Sequence, residues 1–147
     1  MASLPEVTGQ RALILDANIL LRAILGIRVR NLIEHYSTEV TLLTPETCVS
    51  ETRKYLPRLC EKRHWPADPA LQILDALLTG IQIVDLATLT EYEPEARARI
   101  AARDPDDWPA IALSIATSAP VWTEDPDFFG TGVATWTTRT VEIYLAR

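Results

Sequence analysis

The sequence predicts an α/β fold, a mostly parallel sheet covered on both faces by helices. Three observations carry that expectation. Short apolar runs of strand length alternate with segments of helical spacing along the chain. The runs are continuously apolar, as strands buried on both faces are, and lack the strict in-out alternation of a half-exposed sheet. No internal repeat, low-complexity tract or long linker interrupts the alternation.

The elements follow in order. Arg11 to Leu15 reads as the first strand, and Asn18–Leu25 and Arg28–Tyr36 as helices separated by Gly26. Val40 to Leu43 is the second strand. Thr44-Pro45 then signals a helix start, with Thr as N-cap and Pro in the first turn, leading into Glu46–Lys62. Pro57 should kink or divide that helix. Asp68-Pro69 opens another helix through Leu78, closed by Gly80, and Ile81–Val84 is the third strand. Helical periodicity returns over Glu91–Ala102 and, after Asp104-Pro105, over the apolar Trp108–Thr117. Val121–Thr123 and Ala134–Trp136 complete the strands, and Thr140–Leu145 is the final helix.

At 147 residues the chain has the length of one ordinary domain, read here as 1–147 with a core over about 11–137. With 48% hydrophobic and 23% charged residues it belongs neither with disordered tails nor with disulfide scaffolds. Met1 to Gln10 lacks the pattern of a signal peptide, and no apolar run reaches membrane-spanning length, so a cytoplasmic location with no membrane partner is expected. Cys48 and Cys60 match no zinc or redox spacing and read as free thiols.

The net charge of −6 argues at first against nucleic acid, but its distribution argues otherwise. Arg22 to Arg63 holds eight basic and five acidic residues, whereas His64 to Asp127 holds three basic and twelve acidic. Arg22, Arg28 and Arg30, with Arg53, Lys54, Arg58, Lys62 and Arg63, are candidates for a phosphate-binding face. Solvated helix surfaces explain any one of them equally well.

The acids carry the chemistry. Asp16 ends an apolar strand, where an unpaired charge at the edge of the core is expensive. Asn18 either caps the following helix or orients the Asp16 carboxylate through its amide. Asp104, Asp106 and Asp107 precede an apolar helix, Asp125 follows the fourth strand, and Glu51 lies in the third predicted helix. In an open parallel sheet, ligands bind beyond the carboxyl ends of the strands, and carboxylates converging there repel unless a cation is present. Capping competes with this reading, because Asp-Pro occurs at Asp68, Asp104 and Asp125, each where a helix plausibly begins. Asp68 has no acidic partner nearby and reads as a cap, whereas the other two belong to denser acidic clusters.

Leu15-Asp16-Ala17-Asn18, Ser50-Glu51, the Asp104 to Asp107 cluster before an Ala-rich helix, and Thr123-Glu124-Asp125-Pro126-Asp127-Phe128 resemble, in order and spacing, the four acidic motifs of the PIN-domain nucleases. The resemblance spans about Arg11 to Trp136. It implies an α/β/α sandwich and metal-dependent hydrolysis of phosphodiester bonds in RNA, with Mg or Mn as cofactor. It places the catalytic and metal-binding acids at Asp16, Glu51, Asp107 and Asp125. Asp104 is a further metal candidate, and Asn18 and Thr123 are supporting residues. Asp107 is preferred in the third motif because it directly precedes the helix, while Asp104 fits the cap before Pro105. Arg22, Arg53 and Lys54 are the substrate-binding candidates. The small format is similar to a VapC-like toxin, which implies RNA as substrate and extends to an antitoxin partner and a homodimer.

The chemistry stands without the family. Phosphodiester hydrolysis needs a nucleophile from water and stabilised charge on the phosphoryl oxygens, which carboxylate-held metal ions supply. His35 and His64 are the only histidines and lie far from the acids, so Ser-His-Asp and Cys-His mechanisms are disfavoured. A Mg-dependent phosphatase acting through an aspartyl-phosphate is weakened because Asp16-Ala17-Asn18 lacks a second acid two residues on. The remaining alternative is a non-catalytic RNA- or protein-binding module of PIN-like fold.

Overall fold

The computed structural model describes Leu4 and residues 11–147; the expectation for Met1 to Gln10 lies outside the described residues. Five strands form one all-parallel sheet: β1 Arg11–Leu15, β2 Val40–Pro45, β3 Gln82–Val84, β4 Val121–Trp122 and β5 Thr135–Trp136, in the spatial order β3-β2-β1-β4-β5. The chain builds outward from β1 to β3, then returns to add β4 on the other side of β1. The reversal of strand order between β1 and β4 opens a crevice at their carboxyl ends. Asp16 follows β1 there, and Thr123 to Asp125 follow β4.

The period of two along each strand divides the core. Leu13, Leu15, Val40, Leu42 and Trp122 face one layer, built from α1 (Ala17–Leu25), α2 (Ile27–Tyr36), α3 (Glu46–Lys62) and α4 (Ala67–Leu78). Ala12, Ile14, Leu43, Val84 and Val121 face the other, built from α5 (Leu86–Leu89), α6 (Glu93–Ile100) and α7 (Trp108–Thr117). The last helix, α8 (Val141–Leu145), returns to the first layer, where Val141 and Leu145 are buried. This is the α/β/α sandwich that the motif pattern implies. Among the described residues no helix is long and apolar enough to cross a membrane, and Cys48 and Cys60 are free and buried.

Several local expectations are corrected. Thr44 does not cap α3. It is fully buried within β2, pairs with Ile83, and its hydroxyl donates to the Leu15 carbonyl at 2.8 Å, so the strand continues and Pro45 is the capping residue. Pro57 does not divide α3, which runs unbroken through it; Pro57 is exposed, so the carbonyl left without its usual amide partner has water available. Asp68 is not an N-cap either. Pro66 holds that position, and Asp68 lies in the first turn of α4, where its charge favours the positive helix end. The third strand begins one residue late, at Gln82, and Thr79 rather than Gly80 is the cap of α4. The helix expected over Glu91–Ala102 is a 3₁₀ turn, Thr90–Tyr92, followed by α6, whose first turn contains Pro94.

Candidate active site

Local backbone chemistry places each acid. Asp16 leaves β1 in an extended conformation and caps α1, its Oδ1 accepting from the Ala17 amide at 2.9 Å. Asp104 and Asp125 each precede a proline and cap a single 3₁₀ turn: Asp104 accepts from the Asp106 amide at 3.1 Å, and Asp125 from the Asp127 amide at 2.9 Å. The turn after Asp104 delivers Asp107 to the start of α7, where its side chain makes no capping bond. Both Asp-Pro pairs therefore cap and also present acids to the rim; the two readings do not exclude each other.

Asn18 and Thr123 tie the first and fourth motifs together. The Asn18 Nδ2 donates to Asp16 Oδ2 and to Thr123 Oγ1, both at 3.0 Å, and its Oδ1 accepts from the Glu124 amide at 3.0 Å. Thr123 Oγ1 donates to Asp16 Oδ2 at 2.8 Å and accepts from the Asp125 amide at 3.0 Å. Thr123 is 1% exposed, so its hydroxyl has no water to fall back on. Asn18 thus orients Asp16, and the capping of α1 is done by Asp16 itself. Glu124 closes the loop from below, accepting from the Thr138 amide at 2.6 Å.

Asp16, Glu51, Asp104, Asp106 and Asp107 line one cleft of about 460 Å³ together with Thr47, Cys48 and Tyr55. Asp125 approaches from the β4 side, where its charge and its hydrogen bond with Asp107 act on that carboxyl. Burial, then the charges of Asp16, Asp104 and Asp125, push Asp107 from 3.8 to about 8. Its Oδ2 is buried with no hydrogen-bond partner. Glu51 is also raised, by burial first and then by Asp16, Asp104 and Asp106, with Lys54 opposing. Burial raises Asp16 as well, against the bonds from Thr123, Ala17 and Cys48.

One contributor escaped the sequence reading. The Cys48 thiol donates to Asp16 Oδ1 at 3.6 Å, and burial followed by the charges of Asp16 and Glu51 pushes it far up, so it remains a protonated donor. Its position three residues before Glu51 on α3 was the available signal, since residues so spaced share a helix face. Tyr55, four residues after Glu51, was legible by the same spacing.

The basic candidates disperse. Arg53 turns away to α4 and pairs with Asp75 at 2.6 Å. Arg30 is spent on the carbonyls of Ala23 and Ile24, at 2.9 and 2.7 Å. Arg22 lines a different groove with Arg28 and Arg63. Lys54 remains near the acids, with its ammonium 5.6 Å from the Tyr55 ring centre.

The family model for the PIN domain matches residues 14–146. The chain belongs to the PIN-domain family. Solved structures agree on the fold. VapBC2 from Rickettsia felis, bound to a DNA fragment from its promoter, is 19% identical, with a TM-score of 0.68 over 86% of this chain and 98% of that one. A Pyrobaculum aerophilum protein is 16% identical, with a TM-score of 0.71 over 95% and 94%. FitAcB from Neisseria gonorrhoeae is 19% identical, with a TM-score of 0.63 over 86% and 98%. No curated protein is similar enough in sequence to count as a match.

The donor set of this PIN domain suits a hard divalent cation. Its carboxylates offer hard oxygen donors and net negative charge, and the buried Asp107 Oδ2 has no hydrogen-bond partner. Among the described residues, no three or more His, Cys, Asp or Glu side chains are already drawn together as a ligand set.

Proposed function

We propose that the chain is a metal-dependent endoribonuclease and the toxin half of a toxin–antitoxin pair. The observation that carries the reading is Asp107: a carboxyl held up at about 8, with a buried oxygen that has no partner, facing Asp16, Asp104 and Asp125. A carboxylate left in that condition lowers stability, and groups of this kind concentrate where a ligand later compensates them.

Asp16, Glu51, Asp107 and Asp125 would hold Mg or Mn, with Asp104 close by; such an ion would supply activation of a water nucleophile and charge neutralisation for the phosphoryl oxygens. The protein's own groups do the rest. Asn18 and Thr123 fix the Asp16 carboxylate by two hydrogen bonds, and a third, from the Asp125 amide to the Thr123 hydroxyl, ties the Asp125 backbone to the same network. That coupling makes the β1 and β4 acids a single hydrogen-bonded unit. Asp107, whose carboxyl burial and neighbouring acids raise to about 8, would have to give up its proton to serve as a ligand, so metal binding should be linked to proton release.

The toxin assignment rests on the resemblance of the four acidic motifs and the small format to VapC-like toxins, and the fold shared with VapBC2 and FitAcB agrees with it. Here the expected partner is an antitoxin protein. Homodimer formation and a cytoplasmic, single-domain enzyme complete the reading. The test is cleavage of single-stranded RNA with Mg or Mn: wild type should cut, and EDTA or Asp125→Asn should abolish cutting while circular dichroism stays unchanged. Wild-type protein that binds RNA but leaves it intact across varied sequences and both metals would support the binding-module reading instead.

A further inference from the structure

The outer face of α3 leads away from the acidic cleft and carries a composition that the catalytic reading does not use. Glu51, Lys54, Tyr55, Arg58 and Lys62 are spaced i, i+3, i+4, i+7 and i+11, so they share one side of the helix, and all five are exposed. At 1.5 Å per residue, Glu51 to Lys62 spans about 16 Å. Arg53 points to the opposite side, toward Asp75, which explains why it does not belong to this stripe.

Tyr55 is the junction. It lines the acidic cleft, is 37% exposed, and its hydroxyl has no hydrogen-bond partner among the described residues. The Lys54 ammonium and the Arg58 guanidinium lie 5.6 and 6.0 Å from its ring centre. Lys54, Arg58 and Lys62 form no ion pair among the described residues. In a chain of net charge −6, two cations beside an exposed aromatic ring, with a third one helical turn beyond Arg58 on the same face, are a local reversal of sign. Aromatic rings that accept bases, set among cations that follow the backbone, are how proteins hold single-stranded nucleic acid without reading its sequence.

We infer that this face of α3 is a track for single-stranded RNA leaving the cleft: Tyr55 stacks on a base next to the phosphate held at the acids, and Lys54, Arg58 and Lys62 contact the phosphates beyond. The inference rests on the nuclease reading for its direction, and it names the surface that the strand crosses beyond the cleft. A duplex is a poor fit, since its bases are already stacked and offer Tyr55 no free face. An acidic protein segment would match the cations but would leave the exposed ring, continuous with the catalytic cleft, unused.

The experiment measures binding of a fluorescein-labelled, mixed-sequence single-stranded RNA to the full chain in EDTA, with salt varied. Tyr55→Ala should weaken binding about tenfold, whereas Tyr55→Phe should stay within about twofold. The triple variant Lys54→Ala, Arg58→Ala, Lys62→Ala should flatten the salt slope by about two units. A strand of the same length built from abasic ribose units should bind wild type and Tyr55→Ala alike. Wild-type affinity in Tyr55→Ala, equal binding of duplex RNA, or polyglutamate that competes with the RNA at equal affinity would each overturn the inference. Failure of the nuclease reading looks different: RNA stays intact in Mg while binding still depends on Tyr55.

Discussion

Asp107→Asn should remove most of the pH dependence of stability in the metal-free protein. The carboxyl stands at about 8 in the folded chain against an ordinary 3.8. Its folded value is raised, so its protonated form is the one the fold prefers, and the stability it allows is complete below about pH 4 and lost as pH rises toward 8. Roughly four pH units at about 1.36 kcal/mol each would give 5–6 kcal/mol for a group shut away from solvent. Asp107 is only half-buried, and screening reduces this to on the order of 2–3 kcal/mol. For a chain of this length that is a fall of roughly 5–10 °C in Tm. Scanning calorimetry in EDTA at pH 5 and pH 8 measures it. Wild type should lose that much between the two, Asp107→Asn distinctly less, with the remainder from Asp16 and Glu51, which burial raises in the same direction. Added Mg at pH 8 should restore wild type and leave Asp107→Asn nearly unmoved. Superimposable profiles for the two proteins would refute the reasoning.

Three further outcomes are expected. Mg or Mn at about a hundred times its dissociation constant should stabilise wild type by roughly 2–3 kcal/mol, and Asp16→Asn should lose most of that; isothermal titration showing no heat at millimolar metal counts against the site. Thr123→Val strands the Asp125 amide and removes one of the two hydrogen bonds to Asp16 Oδ2, leaving that from Asn18, and urea unfolding should register a loss of about 1–3 kcal/mol together with slower cleavage. Arg53→Ala breaks only an exposed pair with Asp75, so stability should change by less than about 1 kcal/mol and RNA affinity by less than about twofold.

The architecture was legible because the period of the apolar residues differs between strands and helices, and because Asp16 and Asp125 fall where strands end. Asp16 and Asp125 were readable from position alone: each follows a buried strand, one on either side of the point where strand order reverses. What the sequence left open was decided by tertiary contacts. Thr44-Pro45 has the chemistry of a helix start, but β3 pairs with β2 as far as Pro45, and the Leu15 carbonyl claims the Thr44 hydroxyl. Asp-Pro at Asp68 looks the same as Asp-Pro at Asp104 and Asp125, and only the preceding Pro66 shifts the helix start ahead of it. The basic residues were the least legible. Charge content showed a cationic stretch, but the destinations of Arg30 and Arg53 depend on how α1, α2, α3 and α4 pack. Asp104 and Asp107 could be ranked from sequence only by their order before the helix, whereas burial and the orphaned oxygen separate them in space.

The most direct measurement of the central claim is the rate of single-stranded RNA cleavage across a Mg titration at pH 8, set beside calorimetric metal binding on the same protein. If the carboxylates of β1, α3, α7 and β4 work through a shared cation, the two curves have one midpoint and Asp107→Asn moves both to higher Mg. Cleavage that persists in EDTA, or that Asp107→Asn leaves at the wild-type rate and midpoint, would contradict the account.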